Sequence, residues 1–347
     1  MIGKRNNDIK KMKDLSIIIV CYKGWGKLLK CLESLSLFKL INFSMEVIIV
    51  DNNSPDGEIH EIEKKFPGFR FIINKVNGGF ANGNNLGSRI ASGEFLLFLN
   101  PDTIVLESEL LKMVDVARNN PDYHVVSCKQ VNNKGKLSRD NNHFPSLRRL
   151  TGIQRTFADI GKSEKSETNN NGISFPDWVS GAVMILGKEI FQNLDGFDED
   201  YWMYYEDVDL CLRVNKTGGR VALCNSISIE HNHGGSSRVN KETYSITKSE
   251  VLISEHVYVS KNFPSGEKII AHVLLILINL ISGLFLAVAG LILFFIPGIY
   301  VKTLVFQRML KYYLGSLRSL TWISPQSVNY RRSKSGRTPL NTQQITH

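Results

Sequence analysis

Residues 15–22 read Leu15-Ser16-Ile17-Ile18-Ile19-Val20-Cys21-Tyr22. A short, almost unbroken apolar run of this length suits a strand buried on both faces. A helical pattern follows, with Leu28, Leu29, Leu32 and Leu35 on one side. Val47-Ile48-Ile49-Val50 repeats the strand pattern and ends in the turn cluster Asp51-Asn52-Asn53-Ser54-Pro55-Asp56-Gly57. Residues 58–65 read as a helix and Phe71-Ile72-Ile73 as a third strand. A Gly- and Asn-rich helix then runs to Ser92, and residues 95–99 form a fourth strand broken by Asn100-Pro101-Asp102. Alternating strands and helices predict an α/β domain with a parallel sheet covered on both sides.

In such sheets, ligands bind beyond the carboxyl ends of the strands. Cys21, Tyr22, Asp51 and Asp102 all follow strands there, so they should share one rim. Each acid taken singly also reads as a cap; acids and a tyrosine together on one rim read as a site. Neither a P-loop nor a G-x-G-x-x-G follows the first strand. Phosphate handling is therefore expected from a metal ion, with Asp102 as an oxygen ligand. Gly79, Gly83 and Gly87 recur every four residues and line one helix face, which permits close packing.

The 347 residues allow two domains, or one α/β domain with an appendage. With 43% hydrophobic and 22% charged residues the chain is neither disordered nor fibrous. Its five cysteines are an odd number without a C-x-x-C pair, which excludes a disulfide framework or zinc ribbon and suits a reducing compartment. The net charge of +9 sits at the ends. Lys4, Arg5, Lys10, Lys11 and Lys13 against Asp8 give +4, and residues 302–347 carry +8 without an acid, so the body is mildly acidic. That distribution excludes a nucleic-acid partner for the body. Basic ends beside an apolar run suit anionic lipid headgroups, although the N-terminal cluster also reads as a solvated tail.

The apolar run is 273–296, without a charge and with only Asn279 and Ser282 polar. As a helix it would extend about 36 Å against ~30 Å of bilayer hydrocarbon. No signal peptide is read in residues 1–14. A cytoplasmic body and a basic tail kept on the same side predict a segment that dips into the membrane and returns, or lies within one leaflet, with Ser282-Gly283 as the place for a bend, rather than a simple tilted span.

The second half supplies the chemistry. Ser180-Gly181-Ala182 leads into an apolar run, and a turn at residues 194–198 precedes Tyr201-Trp202-Met203-Tyr204-Tyr205-Glu206-Asp207-Val208-Asp209. Acids in a first helical turn suit the helix dipole by themselves. An aromatic run directly before them also resembles a sugar platform beside a base. His231 and His233 in a Gly/Ser loop are either ordinary exposed histidines or metal ligands. The stretch 132–176, rich in Asn, Ser and Lys, reads as a mobile loop over the acceptor side.

In their order and spacing these segments, with Asn77-Gly78-Gly79-Phe80, Asn84-Asn85, Gly196-Phe197-Asp198 and Leu210-Cys211-Leu212-Arg213, resemble the family 2 inverting glycosyltransferases, within them the bacterial rhamnosyltransferase-like branch. The resemblance covers about residues 14–240. It implies a GT-A fold (Rossmann-like, of the nucleotide-diphospho-sugar transferase type) as one catalytic domain over 14–240. Residues 241–347 would then be a C-terminal, membrane-associated helical region. It assigns Cys21, Tyr22, Asp51 and Asn85 to the nucleotide sugar. Asp102, with a divalent Mn2+ or Mg2+, is assigned to the donor diphosphate. The usual Asp-x-Asp stands here as Asn100-Pro101-Asp102, one carboxylate short, so metal binding leans on His231, or on His233 in its place. Asp207 matches the catalytic base; Trp202, Glu206 and Asp209 fall on the acceptor side. Like-charge repulsion from Glu206 would raise the pKa of Asp207.

The implied reaction moves a sugar, best matched by L-rhamnose from dTDP-L-rhamnose, onto a lipid-linked or polysaccharide acceptor in cell-surface glycan synthesis at the cytoplasmic face. A UDP-hexose donor stays open. A nucleotidyltransferase is disfavoured by the missing Lys/Arg-bearing phosphate loop, and an inactive membrane scaffold by the intact Asp102, Asp207 and His231.

Overall fold

The computed structural model describes residues 12–138, 143–152, 168–232, 240–292 and 297–334. The first half comprises β1 (Lys13–Cys21), α1 (Trp25–Ser36), β2 (Met45–Asp51), α2 (Ile59–Lys65), β3 (Arg70–Ile73), α3 (Gly79–Ile90) and β4 (Gly93–Leu99). Next come β5 (Thr103–Ile104), α4 (Glu107–Asn119), β6 (Val125–Val131), α5 (Leu147–Leu150), β7 (Ile173–Ser174) and β8 (Val183–Gly187). The remainder is α6 (Lys188–Asn193), α7 (Glu206–Lys216), β9 (Val221–His231), α8 (Lys241–Asn262), α9 (Ser265–Ile292), α10 (Pro297–Ser319) and α11 (Val328–Lys334).

The strands form one sheet in the order β3-β2-β1-β4-β8-β6-β9-β5, with β7 paired to β9. The first four run parallel, as the sequence predicts. Beyond them the sheet is mixed, because β8 runs antiparallel to both β4 and β6. Alternation along β1 divides the core. Ile17 and Ile19 face α1 and α4, whereas Ile18 faces α3 and α7, and all three are fully buried. Each such side chain contributes about 1.5–3 kcal/mol of hydrophobic stabilisation. The glycine face of α3 works as read. A methyl group added at Gly83 would stand 2.6 Å from Val20 Cγ1, and one at Gly87 2.6 Å from Ile18 Cγ2.

Two pairings set the site. The β1–β2 register places Cys21 opposite Asp51. Little β5 pairs antiparallel with the end of β9, setting Thr103 opposite His231, and Asn232 N donates to Asp102 O at 2.9 Å. Residues 130 positions apart are thus locked side by side.

The C-terminal helices are docked on the body. Tyr201 and Val208 share one buried cluster with Ile253, Val257 and Tyr258 of α8 and Met309, Tyr312 and Tyr313 of α10. The membrane reading needs one correction here. Helix α9 continues through Ser282-Gly283 without a break. Gly283 instead admits Phe306 of α10, since an added Cβ would lie 2.2 Å from its ring. The return is made by α10, which starts at Pro297, a residue suited to a first helical position. Asn279 Nδ2 donates to Tyr313 Oη at 3.0 Å, so α9 and α10 pair in opposite directions. The chain then closes back on the body, where Ser324 N and Asn329 Nδ2 donate to Asp200 at 3.3 and 2.8 Å.

Candidate active site

A cavity of about 520 Å³ opens at the carboxyl rim of the sheet. Cys21 and Tyr22 from the end of β1, Asn52 after β2, and Asn100 and Asp102 after β4 line one side. Gly181, Trp202 and Asp207 line another. Burial, with Asp51 beside it, pushes the Cys21 thiol far up, so it is a neutral wall and not a nucleophile.

Asp207 sits in the first turn of α7, which two successive residues in the left-handed region introduce: Tyr204 at φ 71° and Tyr205 at φ 68°. Such backbone costs of order 1–3 kcal/mol per residue and persists where packing enforces it; here Tyr205 packs on Tyr258 of α8. The turn delivers Asp207 Oδ2 to Gly181 N at 2.9 Å, while Oδ1 accepts from Val208 N at 2.9 Å. Burial raises the carboxyl pKa, and those two N–H groups pull it back. Glu206 is pushed up much further, by burial and then by Asp207. Its Oε2 is buried without a hydrogen-bond partner among the described residues. Of the pair, Glu206 therefore keeps the proton and Asp207 carries the charge. For both carboxyls the dominant cause is burial.

Asp102 Oδ1 stands 3.1 Å from His231 Nε2, and Lys27 Nζ is 3.6 Å from its Oδ2. Gln130 Oε1 lies 2.7 Å from His231 Nδ1. If Nδ1 carries the proton, it donates to that carbonyl oxygen and Nε2 is left with a lone pair turned toward Asp102. Outer-shell partners hold metal-ligating histidines in this way. A carboxylate and an imidazole beside a cavity are two of the groups a divalent ion takes; among the described residues no third His, Cys, Asp or Glu joins them, and Asn100 Nδ2 lies 3.4 Å from His231 Nε2.

Other predicted positions lie apart from the cavity. The Asp51 carboxylate accepts from Ser54 Oγ at 2.6 Å, and the neighbouring Asn52 lines the cavity. Asn85 spends its amide on the turn ahead of α7, donating to Phe197 O at 2.8 Å and accepting from Phe197 N at 2.9 Å. Asp209 turns to Arg213 at 2.8 Å and to Asn262. Of the aromatic run, Trp202 and Tyr204 line the cavity. Tyr201 is fully buried, and Tyr205 Oη reaches Glu255 at 3.4 Å. His233 lies outside the described residues, as do 139–142 and 153–167 of the predicted loop. The described α5 of that stretch packs its leucines beside α8 and α9.

The glycosyl transferase family 2 model matches residues 16–175, and a model described as the N-terminal domain of galactosyltransferase matches residues 167–234. The low-salt glycan biosynthesis hexosyltransferase of Haloferax volcanii is 24% identical over 225 residues, 64% of this chain and 68% of that one. The N-acetylglucosaminyl-diphospho-decaprenol L-rhamnosyltransferase of Mycobacterium tuberculosis is 26% identical over 231 residues, 59% of this chain and 71% of that one. Residues 16–175 carry a family 2 glycosyltransferase domain. Its fold is GT-A: the mannosyltransferase of Pyrobaculum calidifontis, solved with GDP-Man and Mn2+, superposes with a TM-score of 0.50 at 16% identity, covering 76% of this chain and 69% of that one.

Sequence reading of the family 2 domain missed cavity residues that lie beyond it. Thr243, Ile246 and Thr247 of α8, with Gln326 and Arg331 near the end of the chain, complete the wall. Their signal, a basic cluster after an apolar run, reads as a tail until α10 is seen to bring it back.

Proposed function

We propose that the protein transfers a sugar, with inversion, from a nucleoside-diphosphate donor to an acceptor hydroxyl, with Asp207 as base. The observation that carries this is one cavity holding a buried but N–H-stabilised carboxylate and the Asp102–His231 pair. Asp207 takes the proton of the attacking hydroxyl, a role that needs an ionised carboxylate within hydrogen-bond reach. Glu206, protonated, donates a hydrogen bond to a bound sugar. Asp102 and His231 are the residues that would hold a divalent cation, which supplies charge neutralisation for the departing diphosphate. Lys27, beside Asp102, adds a fixed positive charge.

The donor we propose is dTDP-L-rhamnose, supported by the L-rhamnosyltransferase relative; the hexosyltransferase relative supports a UDP-hexose as the second reading. The acceptor we propose is lipid-linked. Residues 14–240 act as the catalytic unit, and residues 241–347 as a helical region that inserts the α9–α10 hairpin into the cytoplasmic leaflet. Helix α9 is long and apolar enough over Ser265–Leu286 to cross a membrane. Val273, Ile281, Leu284 and Phe285 on it are 49–75% exposed, a face that water alone leaves uncovered. Nucleoside-diphosphate release from a panel of donors, with Mn2+ present or chelated, tests the assignment. Release from dTDP-L-rhamnose that depends on metal and is lost in Asp102→Ala supports it; equal metal-independent release by both proteins defeats it.

A further inference from the structure

Beside the catalytic cavity lies a second one of about 350 Å³, walled by α8, α10 and the segment that leads into α11. The two share Ile246 and Gln326, so they adjoin. Arg331, on the catalytic side, donates from Nη2 to Gln326 Oε1 at 2.9 Å and so stands at the doorway. Arg308, Lys311 and Lys334 line the second cavity, and Glu250 is the single carboxylate among its lining residues. Glu250 is 2% exposed and accepts from Ser324 Oγ at 2.8 Å. Burial pushes its carboxyl up to about 7, which weakens its claim on the surrounding cations. Arg308 Nε donates to Ser245 Oγ at 3.1 Å, with Glu242 3.6 Å from its Nη2, and Lys334 Nζ lies 4.9 Å over the Tyr330 ring.

The walls also include Ile253, Ile323 and Pro325. On α10, Leu310, Leu314 and Leu317 form a stripe with i, i+4, i+7 spacing next to the one that faces the cavity, and they are 37%, 56% and 71% exposed. Cations around a chamber, with an exposed apolar stripe beside it on α10, match a molecule that is anionic at one end and greasy at the other. A neutral, soluble polysaccharide offers neither a phosphate for the cations nor a chain for the leucines.

We propose that this second cavity seats the phosphate-bearing, lipid end of the acceptor. Arg331 at the doorway and Arg308, Lys311 and Lys334 behind it take the phosphates, while the acceptor sugar reaches Asp207. The inference rests on the transferase reading of the first cavity, and gives the lipid-linked acceptor proposed there a seat.

The test uses the full-length protein in detergent micelles, with farnesyl diphosphate as probe and farnesol and inorganic pyrophosphate as its two halves. Farnesyl diphosphate should bind at least tenfold more tightly than either half. Lys311→Glu and Arg331→Gln should each weaken it at least tenfold, with nucleotide-sugar binding by Lys311→Glu unchanged in the same samples. Pyrophosphate binding as well as the whole probe would remove the lipid from the proposal. Variants that lose only co-sedimentation with phosphatidylglycerol vesicles, and keep the probe, would assign the cations to the bilayer and overturn it. Should the unaltered protein bind no nucleotide sugar at all, the transferase reading fails; should it bind the sugar and not the probe, only the second cavity fails.

Discussion

At the scale of single residues, the two neighbouring carboxyls of α7 divide their work by the hydrogen bonds that reach them. Asp207 accepts two backbone N–H groups, and Glu206 Oε2 accepts none from the described residues. Asp207→Asn should keep donor binding and lose transfer by at least ~10², the usual scale of general-base catalysis, in single-turnover measurements. Because burial raises the Asp207 pKa, transfer should fall with acid at a higher pH than for a free aspartate. Glu206→Gln should leave that acid limb in place, since Glu206 is neutral already; a limb displaced downward would show that Glu206 is ionised beside Asp207. Glu250 gives a stability prediction of the opposite sign to that of a salt-bridged acid. Its pKa rises from 4.5 unfolded to about 7 folded, so the native state holds the extra proton between those values. Stability is greatest below the unfolded pKa and declines as pH rises through 7, by up to about 3 kcal/mol. Thermal melts of Glu250→Gln should show that slope flattened.

Among the elements, α3 shows how a pattern turns into a tolerance. A side chain at Gly83 meets Val20 within the sheet, so Gly83→Ala should cost about 1–3 kcal/mol by overpacking, read as a lowered denaturation midpoint. The first four strands and the glycine face of α3 were legible because local apolar period and turn chemistry decide them. The mixed part of the sheet was not. Two-residue β5 has too little sequence to carry a period, yet its pairing with β9 is what brings Asp102 to His231. The partners of Asp51 and Asn85 were hidden for a related reason: a polar side chain reads alike whether it faces ligand or holds a turn, and its bonds to Ser54 and Phe197 are seen only in three dimensions. Helix α10 escaped notice because Lys302, Arg308, Lys311 and Arg318 interrupt its hydropathy, although those charges fall on a helix that still returns along α9.

Across the whole molecule, the C-terminal helices prove to be part of the catalytic body's packing. Deleting residues 265–347 strips Met309, Tyr312 and Tyr313 from the cluster around Tyr201 and Val208. Such a truncation should lower the melting temperature by several degrees and abolish transfer to a lipid acceptor, besides reducing co-sedimentation with vesicles. Since residues 324 and 329 bond Asp200, a fluorophore on a cysteine at Ser333 and one at exposed Lys64 should be quenched from the same side of a sealed vesicle. Opposite-side quenching would disprove the hairpin. That return has a consequence in time. The cavity is bounded by Cys21 and by Arg331, so its wall is a contact of very large sequence separation. Such contacts form late in folding. A chain emerging from the ribosome can build its sheet early, yet it owns a finished chamber only once residue 331 has been made and the hairpin has turned.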